Sequence, residues 1–124
     1  DEYFDSIGTS FAFRNLTYKN PVAKLHLAEI FRVLSPGGKC IIVESSQPTS
    51  KIIRWLYHIY LRWFVYWMGY LLSGNRDAYQ YLVESATRFY TAKEIEEMLK
   101  MAGFRQVSFR PLVFGAAGIH ITAK

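Results

Sequence analysis

The sequence predicts an α/β fold in which helices flank a sheet that is at least partly parallel. Two apolar runs, "YFDSIGTSFAF" and "KCIIVES", lack the strict alternation of half-exposed strands and are typical of strands covered on both faces. A helical pattern lies between them, joined by short links. A strand, a helix and a second buried strand in this order form a right-handed βαβ unit, whose ligands bind at the carboxyl edge of the sheet.

Polar residues follow both predicted strands. Arg14 and Asn15 come directly after the first strand, and Glu44, Ser45 and Ser46 stand at the end of the second. Because parallel strands end at the same edge of a sheet, these groups are expected to lie at one ligand-facing rim.

The helix between the strands is predicted over "PVAKLHLAEIFRVL". Asn20 as the cap and Pro21 as the first helical residue indicate its start, and "SPGG" indicates its end. Leu27, Ile30 and Leu34 recur at three- and four-residue spacing and form its apolar face.

Residues 51–72, called here the aromatic segment, are rich in Trp and Tyr and carry Arg54, His58 and Arg62 at every fourth position. The stretch without charge covers only 63–72, about half of the roughly 20 residues that span a bilayer. Aromatic and basic residues together suit a lipid–water interface or a pocket for an apolar ligand. Burial against neighbouring helices or a dimer partner is the alternative.

The remaining chain predicts two helices and two strands. Residues 76–89 form a helix with Asp77 as its cap. Residues 91–104 form another, which begins at a capping box of Thr91 and Glu94 and ends at Gly103. The alternating runs "FRQVSF" and "AGIHITAK" suit antiparallel pairing.

Several classes of function have no support in the sequence. The net charge of +5 is dispersed, so nothing indicates a nucleic-acid partner. His26, His58 and His120 lack metal-ligand spacing, and no metal site is expected. "SPGGK" joins a helix to a strand, the reverse of a phosphate-binding loop. Cys40 lies within a strand and is expected to be a packed side chain. No signal peptide is visible, which favours a cytoplasmic location.

A set of motifs in fixed order resembles the ubiquinone/menaquinone biosynthesis C-methyltransferase family, a class I S-adenosylmethionine-dependent family. The matching features are FxxRN at 11–15, RVLxPGG at 32–38, ExSxP at 44–48, "YQYLVES" at 79–85, "AGF" at 102–104 and His120 near the end. Three positions depart from the family pattern: Ala12 replaces a glycine, "ESSQP" replaces EFSKP, and "LVFG" replaces LTxG.

The resemblance implies a doubly wound, Rossmann-like sheet of seven strands. Residues 1–124 would supply strands four to seven of one methyltransferase domain, with an aromatic helical insertion at about 49–88. The glycine-rich cofactor loop of the family has no counterpart in the sequence. The chain is therefore expected to be a carboxyl-terminal half that is inactive alone.

The family reaction transfers a methyl group from S-adenosylmethionine to a ring carbon of a polyprenylated quinol. By resemblance, the catalytic residues are Arg14 and Asn15, and the cofactor contacts are Ser10 and Phe11. The predicted substrate contacts are Tyr79, Tyr81 and Ser85, for which a core role is the alternative. The aromatic segment would receive the isoprenoid tail.

Two kinds of association are expected. The first strand lacks its neighbour from the family sheet, so residues 4–13 are predicted to mediate self-association into a homo-oligomer or to be partly disordered. The aromatic segment is predicted to contact a membrane peripherally. A competing interpretation is a non-enzymatic dimerisation or membrane-docking module derived from the family, and a third is a methyltransferase for another apolar acceptor.

Overall fold

Four strands form one sheet in the computed structural model, which describes residues 1–124. The strands are β1 (Phe4–Ser10), β2 (Leu34–Ser45), β3 (Gln106–Leu112) and β4 (Ala117–Ala123), in the spatial order β1-β2-β4-β3. β1 is parallel to β2, whereas β4 is antiparallel to both β2 and β3. The predicted βαβ unit and the predicted antiparallel pair are therefore confirmed.

The connection from β1 to β2 differs from the prediction at its start. Residues 14–17, predicted as a loop, belong to a short helix, α1 (Phe13–Thr17). Helix α2 (Ala23–Val33) begins two residues after Pro21. The Asn20 side chain accepts a hydrogen bond from the Val22 N–H at 3.0 Å. This bond closes a turn before the helix, and the predicted cap is consequently a turn residue.

The "SPGG" run is part of β2 and not a separate turn. Pairing between β1 and β2 jumps from Phe4 opposite Leu34 to Ser6 opposite Lys39. The extra residues of β2 bulge out of the ladder, and Gly37 takes a positive φ of 78° within them.

The aromatic segment is helical along its whole length. It comprises α3 (Lys51–Ile59), a π-helical stretch (Tyr60–Val65) and α4 (Tyr66–Ser73). The Ser50 side chain accepts a hydrogen bond from the Ile53 N–H at the start, and Gly74 ends α4 in the left-handed conformation. None of the helices is both long enough and apolar enough to cross a bilayer.

Two further helices follow. α5 (Arg76–Thr87) begins at Asn75, whose side chain accepts a hydrogen bond from the Ala78 N–H. Asp77, the predicted cap, lies in the first turn instead, where its charge suits the helix dipole. α6 (Ala92–Met101) carries both hydrogen bonds of the predicted Thr91–Glu94 capping box, so that prediction is confirmed.

The main core lies between one face of the sheet and the helices α1, α2 and α6. β2 contributes Cys40 and Ile42 and α6 contributes Ile95 and Leu99, all of them at most 1% exposed. Burial raises the pKa of the Cys40 thiol to about 11. Cys40 is thus a packed, protonated side chain, as predicted.

His120 lies on β4 within this core and supports a prediction about acid stability. It is 1% exposed, and its Nδ1 has no hydrogen-bond partner. Burial lowers the pKa of His120 to about 4, although the charge of Glu96 opposes this shift. Protonation is therefore more favourable in the unfolded chain. Stability should be complete above about pH 6.5 and should fall by at most about 3 kcal/mol as the pH drops towards 4.

Urea unfolding of the wild type and of His120→Gln at pH 7 and pH 5 checks this expectation. The wild type should lose more free energy of unfolding between the two pH values than the variant does. His26→Gln, which changes a half-buried histidine of α2, is the control and should behave like the wild type. Equal losses in all three proteins would rule out His120 as the source.

β1 forms the outer edge of the sheet, and its only strand partner is β2. Most of its side chains are exposed. An edge strand with free N–H and C=O groups can pair with another chain. Self-association through residues 4–13 remains a prediction.

Candidate active site

The first two strands bring their carboxyl ends together. Ser10 pairs with Val43, and the Phe11 N–H continues the ladder by donating to the Val43 carbonyl at 2.8 Å. α1 starts immediately after this point. The residues that follow β1 consequently lie beside Glu44, at the edge where the sequence places the ligand-facing rim.

Glu44 joins the two strand ends. It is 1% exposed, and its Oε2 accepts a hydrogen bond from the Arg14 N–H at 3.1 Å. Its Oε1 accepts a second bond from the Ser45 N–H at 2.8 Å. The bond from Arg14 holds the backbone of α1 against the end of β2, and the bond from Ser45 fixes the orientation of the carboxylate.

Arg14 is buried rather than open to solvent. Its residue is 8% exposed, and its Nε has no hydrogen-bond partner. None of the six ion pairs of the chain includes it, and it does not line the clefts of about 380–600 Å³ on the surface. A buried guanidinium donor without an acceptor is rare in folded proteins, because leaving it unpaired costs free energy.

Tyr57 and Ser46 are two further buried or half-buried polar side chains of this part of the chain. Burial raises the pKa of the Tyr57 hydroxyl, although the charge of Arg14 and a hydrogen bond with Ser45 act against the shift. The Tyr57 hydroxyl therefore stays protonated near neutral pH. The Ser46 hydroxyl is buried without a partner.

Sequence reasoning missed Tyr57 because the aromatic segment contains so many rings. A signal was nevertheless present, since Tyr57 is three residues after Arg54 and next to His58, within the polar stripe. The His58 Nε2 donates to Gln47 Oε1 at 3.0 Å. The Gln47 side-chain amide in turn donates to the Ala86 carbonyl at 2.9 Å. Through these two bonds, His58 and Gln47 tie the residues after β2 to α3 and α5.

The predicted cofactor contacts lie exposed at the same edge. Ser10 presents its hydroxyl to solvent, and Phe11 is 54% exposed with a positive φ of 51°. Their roles in cofactor binding remain a prediction. Asn15 is also exposed, next to the buried Arg14.

The three predicted substrate contacts are not gathered into one pocket. On α5, Tyr81 is 52% exposed, whereas Ser85 is fully buried and donates to the Leu82 carbonyl. Tyr79 is partly buried against Gly69 of α4. Their roles in substrate binding remain a prediction.

The Gly69–Tyr79 contact can be tested by mutation. A Cβ at residue 69 would collide with the Tyr79 ring. Gly69→Ala should push α5 away from α4 and lower the free energy of unfolding by about 1–3 kcal/mol. Thermal unfolding measures this loss, with Leu72→Ala, an 81% exposed position on the same helix, as the control. A Gly69→Ala protein as stable as the wild type would mean that α5 does not pack there.

Other chemistry has little support. No group of three or more His, Cys, Asp or Glu side chains could hold a metal ion.

A cleft of about 500 Å³ between the aromatic segment and α5 is lined by Arg62, Tyr66 and Arg76. It is separate from Arg14.

Comparison with known proteins agrees with this architecture. The ubiE/COQ5 methyltransferase family matches residues 1–124. The chain is 41% identical over 120 residues to the mitochondrial 2-methoxy-6-polyprenyl-1,4-benzoquinol methylase of Drosophila melanogaster, covering 97% of this chain and 38% of that protein. It is 40% identical over 124 residues to the demethylmenaquinone methyltransferase of Lactobacillus johnsonii, covering 100% of this chain and 49% of that protein.

A solved structure shares the fold at low identity. The crystal structure of a putative O-methyltransferase from Nostoc punctiforme superposes with a TM-score of 0.60 at 20% identity, covering 99% of this chain and 32% of that one. The chain spans half or less of the length of these matched proteins. The sheet order, the polar strand ends and the match over all 124 residues lead to one conclusion: the chain belongs to the ubiE/COQ5 methyltransferase family.

Proposed function

We propose that residues 1–124 are the acceptor-facing, carboxyl-terminal part of an S-adenosylmethionine-dependent C-methyltransferase that acts on a polyprenylated quinol. The observation that carries this proposal is the buried Arg14, whose Nε lacks a partner beside Glu44 at the end of two parallel strands. The names of the matched relatives, a polyprenyl-benzoquinol methylase and a demethylmenaquinone methyltransferase, support the acceptor class.

Ser10 and Phe11 are the residues of this chain that would hold the cofactor. When bound, the cofactor supplies a methyl group on a positively charged sulfur. No glycine-rich turn from a strand into a helix occurs in the sequence, and β1 leads into α1 through Phe11 and Ala12. We therefore propose that the principal cofactor loop lies outside these residues and that the 124-residue chain does not turn over by itself.

Arg14 would stabilise the acceptor in its reactive form. A ring carbon of a quinol becomes nucleophilic when the neighbouring hydroxyl loses its proton, because the phenolate delocalises charge onto the ring. The guanidinium is permanently charged, and its free Nε–H can donate to the phenolate oxygen. Burial makes this interaction stronger than it would be in water. Asn15 lies next in sequence, where its amide can donate a second bond.

Glu44 would hold Arg14 in position, and Tyr57 would provide a hydrogen-bond donor. The bond from the Arg14 N–H to Glu44 holds α1 in place, and the bond from the Ser45 N–H orients the Glu44 carboxylate. Because burial raises the pKa of Tyr57, its phenol remains a donor near neutral pH. A fixed set of donors needs no rearrangement when negative charge develops on the acceptor oxygen.

The proposed reaction can be tested with the full-length protein. Incubation with S-adenosylmethionine labelled with ¹³C in its methyl group, together with a short-chain demethylated quinol, should give a product whose labelled methyl is bonded to a ring carbon in the NMR spectrum. A labelled methoxy product would exclude C-methylation.

The same protein sample can distinguish an enzyme from a second candidate function, that of a non-enzymatic docking module. The exposed apolar side chains of the aromatic segment favour this second candidate. Isothermal titration should detect S-adenosylmethionine binding by an enzyme. Absence of both binding and transfer would favour the module.

A further inference from the structure

The aromatic segment exposes apolar side chains along much of its surface. Leu61 and Tyr57 pack towards the protein and His58 is bonded to Gln47, while other large apolar side chains of the segment are exposed. The exposed apolar face, as we define it, consists of Ile52, Leu56, Trp63, Phe64, Trp67 and Leu71, which are 49–73% exposed. An apolar patch of this kind on the surface of a protein marks a site that another apolar phase covers.

The charges around this face have one sign. No Asp or Glu occurs between Glu44 and Asp77, whereas Lys51, Arg54, Arg62 and Arg76 lie in this interval. None of these four cations takes part in an ion pair within the chain. Lys51, Arg62 and Arg76 are exposed, so their charge is available to an anionic partner.

We propose that the exposed apolar face inserts into one leaflet of an anionic membrane, with the helix lying in the interface plane. Trp rings prefer the boundary between lipid and water, and unpaired cations beside an apolar helix face attract anionic headgroups. No helix of the chain could instead cross the bilayer. Residues 51–73 thus act as an interfacial anchor.

A second copy of the chain fits this face less well. In a two-fold symmetric dimer the same patch meets itself, so the four cations of one copy would face those of the other. No carboxylate within residues 45–76 could compensate the repulsion. An anionic lipid surface is the complementary partner.

The anchor also forms part of the wall of the candidate active site. His58 on α3 is hydrogen-bonded to Gln47, which follows the end of β2. One side of the helix is therefore tied to the chain beside the site, and the exposed side carries the proposed lipid contact. An acceptor with a long apolar tail could reach the site from the membrane without crossing water.

Intrinsic fluorescence tests the proposal directly, because all three tryptophans of the chain, Trp55, Trp63 and Trp67, are in the aromatic segment. The full-length protein is mixed with vesicles of phosphatidylcholine alone or of phosphatidylcholine with phosphatidylglycerol. If further tryptophans occur in the longer protein, they are replaced by phenylalanine. We expect a blue shift and quenching by lipids brominated on their acyl chains, both stronger with the anionic vesicles.

Cosedimentation with the same vesicles adds a mutational test. The double variant Trp63→Ser with Trp67→Ser should bind about tenfold or more weakly than the wild type. Phe114→Ser, at an 84% exposed aromatic residue outside the segment, is the matched control and should bind normally.

Three results would overturn the proposal. The first is the absence of vesicle binding by the wild type, and the second is binding without acyl-chain quenching, which would indicate a purely electrostatic contact. The third combines two observations made without lipid: the mass in solution is that of a dimer, and the Trp emission is already blue-shifted. A second copy of the chain would then cover the exposed apolar face. Because none of these measurements uses a quinol or the cofactor, their outcome is independent of the methyl-transfer assay.

Discussion

Replacement of Arg14 by alanine in the full-length protein is expected to slow methyl transfer by about 100- to 1,000-fold, the usual effect of removing one preorganised donor to a developing oxyanion. The affinity for S-adenosylmethionine should change little, because Ser10 and Phe11 remain in place at the tip of β1. Single-turnover rates and isothermal titration measure the two quantities separately.

Two further variants make the Arg14 result interpretable. Arg14→Lys keeps the positive charge but lacks the planar Nε–H donor, so it should restore only part of the rate. Arg110→Ala removes an exposed arginine from β3 and should leave the rate unchanged. A folded Arg14→Ala protein with a near-normal rate would show that the guanidinium does not contact the acceptor.

Replacement of Glu44 by glutamine is expected to damage both stability and rate. The carboxylate accepts one N–H on each oxygen, whereas the amide has a single acceptor oxygen and must turn its NH₂ group towards the other N–H. One buried backbone donor is then unsatisfied, which costs about 1–3 kcal/mol of unfolding free energy. The resulting shift of α1 should lower kcat by about 10- to 100-fold.

Glu44 is a positioning residue in this scheme, and its effect should appear in kcat more than in KM. Urea unfolding and steady-state kinetics of Glu44→Gln are compared with those of Glu29→Gln, which removes an exposed partner of Arg32. The control should lose less than about 1 kcal/mol and none of the activity. Wild-type stability and rate in Glu44→Gln would contradict the assigned role.

The strands and most helices could be predicted because their signals are local. The apolar texture of β2, the Thr91–Glu94 capping box and the alternation in β3 and β4 each depend on neighbouring residues only. The prediction that β1 is covered on both faces is wrong, because β1 is an edge strand with mostly exposed side chains. The other errors occur where a side chain makes an unforeseen local bond. Asn20 closes a turn instead of capping α2, and Asn75 rather than Asp77 caps α5.

The candidate site was only partly predictable for a different reason. Parallel strands must end at one edge, so the proximity of Arg14 and Glu44 follows from the βαβ unit alone. The burial of Arg14 and the approach of Tyr57 depend on how the aromatic segment packs across that edge. The sequence contains many equivalent rings in this segment, and only tertiary packing distinguishes the inward Tyr57 from the exposed Trp63.

The most direct test of the proposed site is a crystal structure of the full-length protein with S-adenosylhomocysteine and a short-chain quinol. The ring hydroxyl next to the methylated carbon should lie about 2.7–3.1 Å from the guanidinium of Arg14, with its Nε–H now donating to that oxygen. Glu44 should keep both backbone hydrogen bonds. A quinol bound away from the ends of β1 and β2, with Arg14 bonded to a protein group instead, would contradict the assignment.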